Sequence, residues 1–478
     1  MKPKYILLLI LLAGFLVRLP LLFMTHGEPL HIVDEQHYNG IALHFVQTGN
    51  FGTVEELTSI RPPLYIWFVA GIYKIVGVNN PDCVLTIVRF IQIALSLITA
   101  WLVYRLSKKT FQDDSAALVS AGIFCFYPSL LLQNYLILTE TLFTFWLTGT
   151  LYFAVSLLQK GNNTSENSAQ TLSQKTYWLY AVFCGVCLGL GALTRSILWL
   201  AIPYTSLYLI LFLQEKTLKR ILTGLTVLSV ALIIIAPWVI RNTKLQKTFT
   251  VIDCMSGRNL MMGNYEYTPL YRSWDAISVP PPDDWYTVLH EHYSKKGIDS
   301  NPTTQGQKDK MAAAYAKEYM LAHPLQTAQR MAVKALCFWQ LERSATALFK
   351  QGWLKSWLGE ERTTAGITAF IVICSFVFVF FTALPGALLE NATAWRTGLF
   401  YFCVTALFWG VHSLVFAHSR YHLPLIPVLC LYSGLYIMSL WRNGFDIKTN
   451  QIPRAAALVL LMMIFTGFWT LEILWYFE

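Results

Sequence analysis

Charge is scarce in this chain: Asp, Glu, Lys and Arg make up 13% of 478 residues, where a soluble domain carries about 25%. That shortage excludes a water-facing globular surface over most of the length. Apolar and polar residues do not alternate over segments of about ten residues, which excludes a transmembrane β-barrel. The net charge of +9 is not gathered on a contiguous basic face, so nucleic acid is excluded as a partner. It sits in short loops, as topogenic charge and headgroup contact. The first apolar run ends in "RLPLLFMTHGEPL" without a small-x-small cleavage site and is expected to stay as a helix. The nine cysteines are scattered, mostly inside apolar runs. "CGVC" (Cys184, Cys187) therefore reads as small residues packed within a helix rather than a redox or metal motif. Internal repeats and paired helix breaks, the marks of secondary transporters, are also missing.

Long apolar runs are what the chain has instead: 55% of it is hydrophobic. Runs of roughly 20 apolar residues predict an all-α polytopic membrane protein. About 11 spans are expected, near 5–24, 86–106, 115–133, 137–158, 177–193, 197–213, 221–240, 364–384, 397–417, 423–441 and 455–476. Lys2 and Lys4 place the N-terminus in the cytoplasm, with "YRLSKKT", "EKTLKR" and "WRNGFDIK" on the same side. The C-terminus then falls outside. The polar "QKGNNTSENSAQTLSQKT" is expected as a cytoplasmic loop.

Three parts follow. Residues 1–240 form an N-terminal transmembrane module with a first extracytoplasmic loop at 25–84. Residues 241–362 form an extracytoplasmic segment in which "HPLQTAQRMAVKALCFWQLE" reads as an amphipathic helix. Residues 363–478 hold the last spans. Within the first loop, "RPPLYIWFVAGIYKIVG" is short, apolar and opened by prolines, which suits a helix lying in the interface.

With that topology, Asp34, Glu35, Arg61, Glu140, Arg195, Arg241, Arg258 and Arg420 all fall at the extracytoplasmic ends of helices. The positive-inside bias disfavours those arginines there, so their retention asks for a partner. Lipid phosphate is one, because the guanidinium fork gives phosphate two parallel hydrogen bonds; structural carboxylates and headgroups are the others. Arg18, inside the first span, reads as a snorkelling or helix-pairing residue. Asp34 and Glu35 are either solvated loop charges or, facing those cations, one is a proton acceptor whose pKa bound phosphate and desolvation raise. Glu140 either faces the same chamber or stabilises a helix N-terminus. In "HSRYHLPLIP", His418 and His422 flank Arg420. Metal ligation, phosphate contact and polar packing are all open for them.

Together, "DE" (Asp34, Glu35), "RPPLY" (Arg61 to Tyr65), "TE" (Thr139, Glu140), "GALTRS", "PWVIRN", "GRNLMMGN" and "SRYHLPLIP" resemble the lipid-linked glycosyltransferases of the C-type membrane fold. The branch is similar to the bacterial relatives of protein O-mannosyltransferases and lipid A aminoarabinose transferases. The resemblance implies a donor sugar on a polyprenyl phosphate and a lipid, glycan or protein acceptor. It implies a bacterial inner membrane and an inverting displacement with Asp34 as base and Glu35 and Glu140 nearby. Arg61, Tyr65, Arg195, Arg241, Arg258, Arg420 and His422 become candidates for the donor phosphate. Arg61 stands where the aminoarabinose transferases carry lysine, and Glu140 where many relatives carry aspartate. Some relatives use a divalent metal, and no compact ligand spacing decides that here. A polyprenyl-lipid flippase is the rival reading, although it calls for charges halfway along several spans.

Overall fold

The computed structural model describes residues 2–53, 56–159, 173–298, 304–342, 361–389, 395–444 and 452–477. Among these, the only pairing outside helices is an isolated bridge between Gly52 and Leu57. Residues 160–172 of the expected polar loop and 343–360 of the expected extracytoplasmic segment lie outside the described residues.

In chain order the helices are α1 (Pro3–Met24), α2 (Val33–Thr48), α3 (Pro63–Val76), α4 (Pro81–Phe111), α5 (Asp114–Cys125), α6 (Pro128–Gln133), α7 (Glu140–Leu158), α8 (Gln174–Thr194) and α9 (Ala201–Phe212). They continue as α10 (Thr217–Gln246), α11 (Ser256–Met262), α12 (Trp285–Lys295), α13 (Gln305–Ala322), α14 (Pro324–Phe338), α15 (Glu361–Leu388), α16 (Trp395–Leu414), α17 (Ile426–Asn443) and α18 (Ile452–Phe477). Proline opens α3, α4, α6 and α14 at the first helical positions, where its missing N–H has no intrahelical partner to lose.

Nine helices among the described residues are long and apolar enough to cross a membrane. The protein is an all-α polytopic membrane protein. The remaining two expected spans are present in broken form. The run at 115–133 divides into α5 and α6, because Pro128 cannot continue a helix that has already ended at Cys125. The run at 197–213 begins as a 3-10 turn, Ser196–Leu200, before α9. The first loop carries both α2 and the short apolar α3.

Lipid tails supply no hydrophobic drive between helices, so close backbone approach has to hold the bundle. Helix α8 meets α10 through Gly185 and Gly189, where an added Cβ would lie 2.8 Å from the Val227 carbonyl and 2.9 Å from Ile234. The Cys184 and Cys187 thiols are buried at the same helix, and all nine cysteines are unpaired, which agrees with small-residue packing. Arg18 is fully buried rather than snorkelling: it donates to Asn134 Oδ1 at 2.9 Å and to the Cys125 carbonyl at 2.9 Å. It thus ties α1 to the α5–α7 connection.

The described residues of 252–342 build a smaller layer over one end of the bundle. Its own core gathers Met261, Met262, Tyr265, Leu289, Ala312 and Tyr315 around Phe416, which follows α16. Lys334 fastens this layer to the bundle by donating to Asn264 Oδ1 at 2.8 Å and to the Leu414 and Val415 carbonyls, each at 3.0 Å. Those carbonyls end α16, so the ammonium also meets the negative end of that helix.

Candidate active site

Beneath the small layer, helix ends from separate parts of the chain converge on a cavity of about 510 Å³. That lies within the roughly 300–1,000 Å³ of small-molecule sites. Asp34 enters from the first turn of α2, and Arg61 from the residue before Pro62 and Pro63 open α3. Glu140 is the first residue of α7, and Arg195 is the extended residue at which α8 stops. Arg420 comes from the 3-10 turn Ser419–Tyr421 before α17, where its backbone N–H donates to His418 Nδ1 at 3.0 Å.

These five side chains form one continuous chain of ion pairs. Arg61 Nη2 donates to Asp34 Oδ1 at 2.5 Å, and Arg420 Nη2 to Asp34 Oδ2 at 2.9 Å. Arg420 Nε then lies 3.0 Å from Glu140 Oε1, and Arg195 Nη1 3.3 Å from the same oxygen. Arg61 also donates through Nε to His37 Nδ1 at 3.1 Å. Burial and the neighbouring Arg61 charge both lower the His37 pKa, which keeps it the neutral acceptor this bond requires. Within this chain three guanidiniums face two carboxylates, so the chain itself holds one unit of positive charge. The Glu140 side chain is 2% exposed and the Asp34 side chain 23%. Both line the cavity, Asp34 as the more accessible of the two.

Asp34 is shared between two of these guanidiniums. Burial pushes its carboxyl up, but the Arg420 and Arg61 guanidiniums outweigh that and hold it well below the usual carboxylate range. Both of its oxygens accept charged hydrogen bonds.

Other predicted residues stand elsewhere. Glu35, adjacent to Asp34 but roughly 100° around the helix, turns from the cavity. Its Oε1 accepts the Ile137 N–H at 2.8 Å and its Oε2 the Ile32 N–H at 3.1 Å, so it ties α2 to the strandless segment before α7. Tyr65 is fully buried and donates to Gln92 Oε1 at 2.9 Å. Arg241 staples the first loop to α10: it donates to the Thr58 carbonyl at 2.7 Å and the Phe51 carbonyl at 3.1 Å, with its guanidinium 4.6 Å from the Trp238 ring centre. His422 is fully buried among aromatic rings, with its two nitrogens 2.7 Å from the Phe338 carbonyl and 2.8 Å from Glu342 Oε1. Tyr127 donates to the same Glu342 oxygen at 2.7 Å. Arg258 sits behind the wall over Trp285, 5.0 Å from its ring centre, with its Nε buried and without a hydrogen-bond partner.

Two cavity carboxylates were not singled out in the sequence. Asp309 of α13 accepts the Arg258 N–H at 2.9 Å and faces the Ser256 hydroxyl at 3.3 Å, so it caps α11. Asp253 lies in the bent, non-helical connection between α10 and α11. One signal for it was legible: a single carboxylate in the apolar "TVIDCM", right after "PWVIRN". Among the described residues no group of three or more His, Cys, Asp and Glu side chains is placed to hold a metal. Asp34 and Glu140 are already taken by guanidiniums, so these residues do not fit a divalent ion, and no step is routed through one.

Residues 60–240 match the family described as dolichyl-phosphate-mannose-protein mannosyltransferase. An undecaprenyl phosphate-alpha-4-amino-4-deoxy-L-arabinose arabinosyl transferase of Pectobacterium carotovorum is 27% identical over 244 residues, covering 50% of this chain and 39% of the relative. The second such transferase of Proteus mirabilis is 27% identical over 249 residues, covering 50% of this chain and 41% of the relative. The matched stretch is thus about two fifths of these relatives' length. The archaeal oligosaccharyltransferase AglB of Archaeoglobus fulgidus, solved with an inhibitory peptide and a dolichol-phosphate, superposes with a TM-score of 0.51 at 14% identity, covering 98% of this chain and 55% of AglB. At that identity the likeness speaks for fold alone. The chain has the C-type glycosyltransferase fold and resembles lipid-linked glycosyltransferases of that type.

Proposed function

We propose that this protein moves a sugar from a polyprenyl-phosphate donor to an acceptor at the extracytoplasmic face of a bacterial inner membrane, with its N-terminus in the cytoplasm. The observation that carries this reading is the arginine triad: Arg61, Arg195 and Arg420 converge on one cavity in an ion-pair chain that holds one cation more than its carboxylates. A departing lipid phosphate is what such a site stabilises, because charge grows on its oxygens as the glycosidic bond breaks. Guanidinium forks oriented before the donor arrives need no reorganisation during the reaction. Asp34 and Glu140 supply that orientation, and the donor phosphate takes over part of their hydrogen bonding when it binds.

The sugar's anomeric carbon then lies between the phosphate and the acceptor. Attack from the face opposite the phosphate inverts its configuration. Arg258, close enough for the Arg61 charge to act on it, adds positive potential from behind the wall. The 252–342 layer caps the cavity and shapes the acceptor's approach. The names of the bacterial relatives support an undecaprenyl-phosphate donor.

The test is transfer of label by the purified protein in detergent, from radiolabelled polyprenyl-phosphate sugars to acceptor extracts. Transferred label supports the reading. Movement of intact donor lipid across proteoliposomes without any sugar transfer would favour a flippase.

A further inference from the structure

Four carboxylates line the cavity, and three of them are already committed. Asp34 and Glu140 hold guanidiniums, and Asp309 caps α11. Asp253 is different: among the described residues it makes no ion pair, and it is the Ser196 side chain and the Met255 backbone that favour its ionised form most.

Its position is also tightly set. Ile252 before it and Cys254 after it are buried. The Ile252 carbonyl accepts from Trp238 Nε1 at 2.9 Å and Asn242 Nδ2 at 2.8 Å, and the Cys254 N–H donates to the Ser59 carbonyl at 2.9 Å. With Ile252 and Cys254 fastened to α10 and the first loop, this stretch is held as part of the cavity wall, and Asp253 lines the cavity between them. Ser196 directly follows Arg195, so this carboxylate stands beside the ion-pair chain without being part of it.

We propose that Asp253 takes the proton from a neutral acceptor hydroxyl as that hydroxyl attacks the sugar. This rests on the reading of the cavity as a sugar-transfer site. The acceptor oxygen forms a bond to the anomeric carbon, and the bond from that carbon to the phosphate oxygen breaks. The electron pair leaves with the polyprenyl phosphate towards Arg61, Arg195 and Arg420, and the hydroxyl proton passes to Asp253 and from there to solvent. A site whose acceptor were an ionised phosphate would have no use for an unpaired carboxylate here. The inference therefore assigns the acceptor to the hydroxyl class.

The environment suits that task. Burial, followed by the like charge of Asp309, pushes the Asp253 carboxyl up to about 6, against the opposing Ser196, Met255 and Arg61 contributions. Lys310 of α13 is the further charged group at this part of the wall.

The experiment measures transfer against pH for wild type, Asp253→Asn and Asp253→Glu in detergent, with donor binding followed in parallel. Positioned proton transfer contributes about 10²–10⁴-fold. Wild type is expected to show an acid limb near pH 6, and Asp253→Asn is expected to lose rate on that scale, to keep donor binding and to lose that limb. Asp253→Glu, which keeps a carboxyl, recovers part of the rate and a shifted acid limb. Wild-type rates or an unchanged acid limb in Asp253→Asn would overturn the assignment while leaving the enzyme reading intact. Wild type inactive with every donor would remove the enzyme reading and this assignment with it.

Discussion

Arg420 and Asp34 stand 386 residues apart in the chain and 2.9 Å apart in space. Through its Nε the same guanidinium reaches Glu140 at 3.0 Å, so one side chain joins α2, α7 and the start of α17. Removing it leaves two carboxylates at the cavity wall with only the outer arginines to balance them. Arg420→Ala is expected to lower kcat by about 10²–10³, the usual consequence of deleting one donor aimed at developing charge. Arg420→Lys keeps the charge but not the fork, and falls between the two. Steady-state rates with saturating donor check both variants.

Asp34 and Asp253 should show opposite pH signatures in stability. The folded pKa of Asp34 is depressed, so its contribution is present above the ordinary value of 3.8 and is lost as pH falls below it. Asp34→Asn removes that acid limb and melts lower than wild type at neutral pH. The folded pKa of Asp253 is raised from 3.8 to about 6. Its ionised form therefore weakens the native state as pH rises through that window. Asp253→Asn should melt higher than wild type at pH 7 while losing activity, and the difference should vanish near pH 4. Detergent-phase melting curves across pH read both effects, and a lower melting point for Asp253→Asn at pH 7 would count against the assigned environment.

His422 is expected to matter for folding rather than for donor binding. It shares Glu342 with Tyr127 in a buried polar cluster between α6, α17 and the end of the 252–342 layer. His422→Ala leaves that carboxylate short of a partner among Trp339 and Phe376, and losing one partner of a buried pair costs about 3–5 kcal/mol. A lower melting point with donor KM unchanged in the surviving protein is the expected result. A large rise in donor KM at unchanged stability would return His422 to the phosphate site.

Glu35 gives a similar contrast with its neighbour Asp34. Glu35→Gln can satisfy one of the two amides that the carboxylate now accepts, and presents an NH₂ group to the other. The expected loss is about 1–3 kcal/mol of stability, with kcat close to wild type. Melting and turnover measured on the same preparation separate this from the behaviour of Asp34→Asn.

The bundle was legible because membrane spans are set by length and hydropathy, and those are local properties. Topogenic charge went further: it placed Asp34, Arg61, Glu140, Arg195 and Arg420 at helix ends on one side, and in space they form one ion-pair chain. The direction of each side chain was not legible. Glu35 and Asp34 are consecutive, yet a helix turns them to different faces, and only one reaches the cavity. Arg241 sits at the expected helix end but spends its donors on first-loop carbonyls. Tyr65 and His422 lie inside motifs that do reach the cavity, while their own side chains pack inward. Asp253 escaped notice because a bent connection between helices has no periodicity to weigh it against. Its importance comes from what surrounds it, which is the absence of any cation paired with it among the described residues and its place on the cavity wall.

The most direct test of the central claim is sugar transfer from a radiolabelled polyprenyl-phosphate sugar, measured for wild type beside Asp34→Asn and Arg420→Ala at matched folding. The account expects label to move to acceptor with wild type and to fall by about 10²-fold or more in both variants. Transfer by the variants at the wild-type rate would contradict it, because the ion-pair chain at the cavity would then have no part in the reaction.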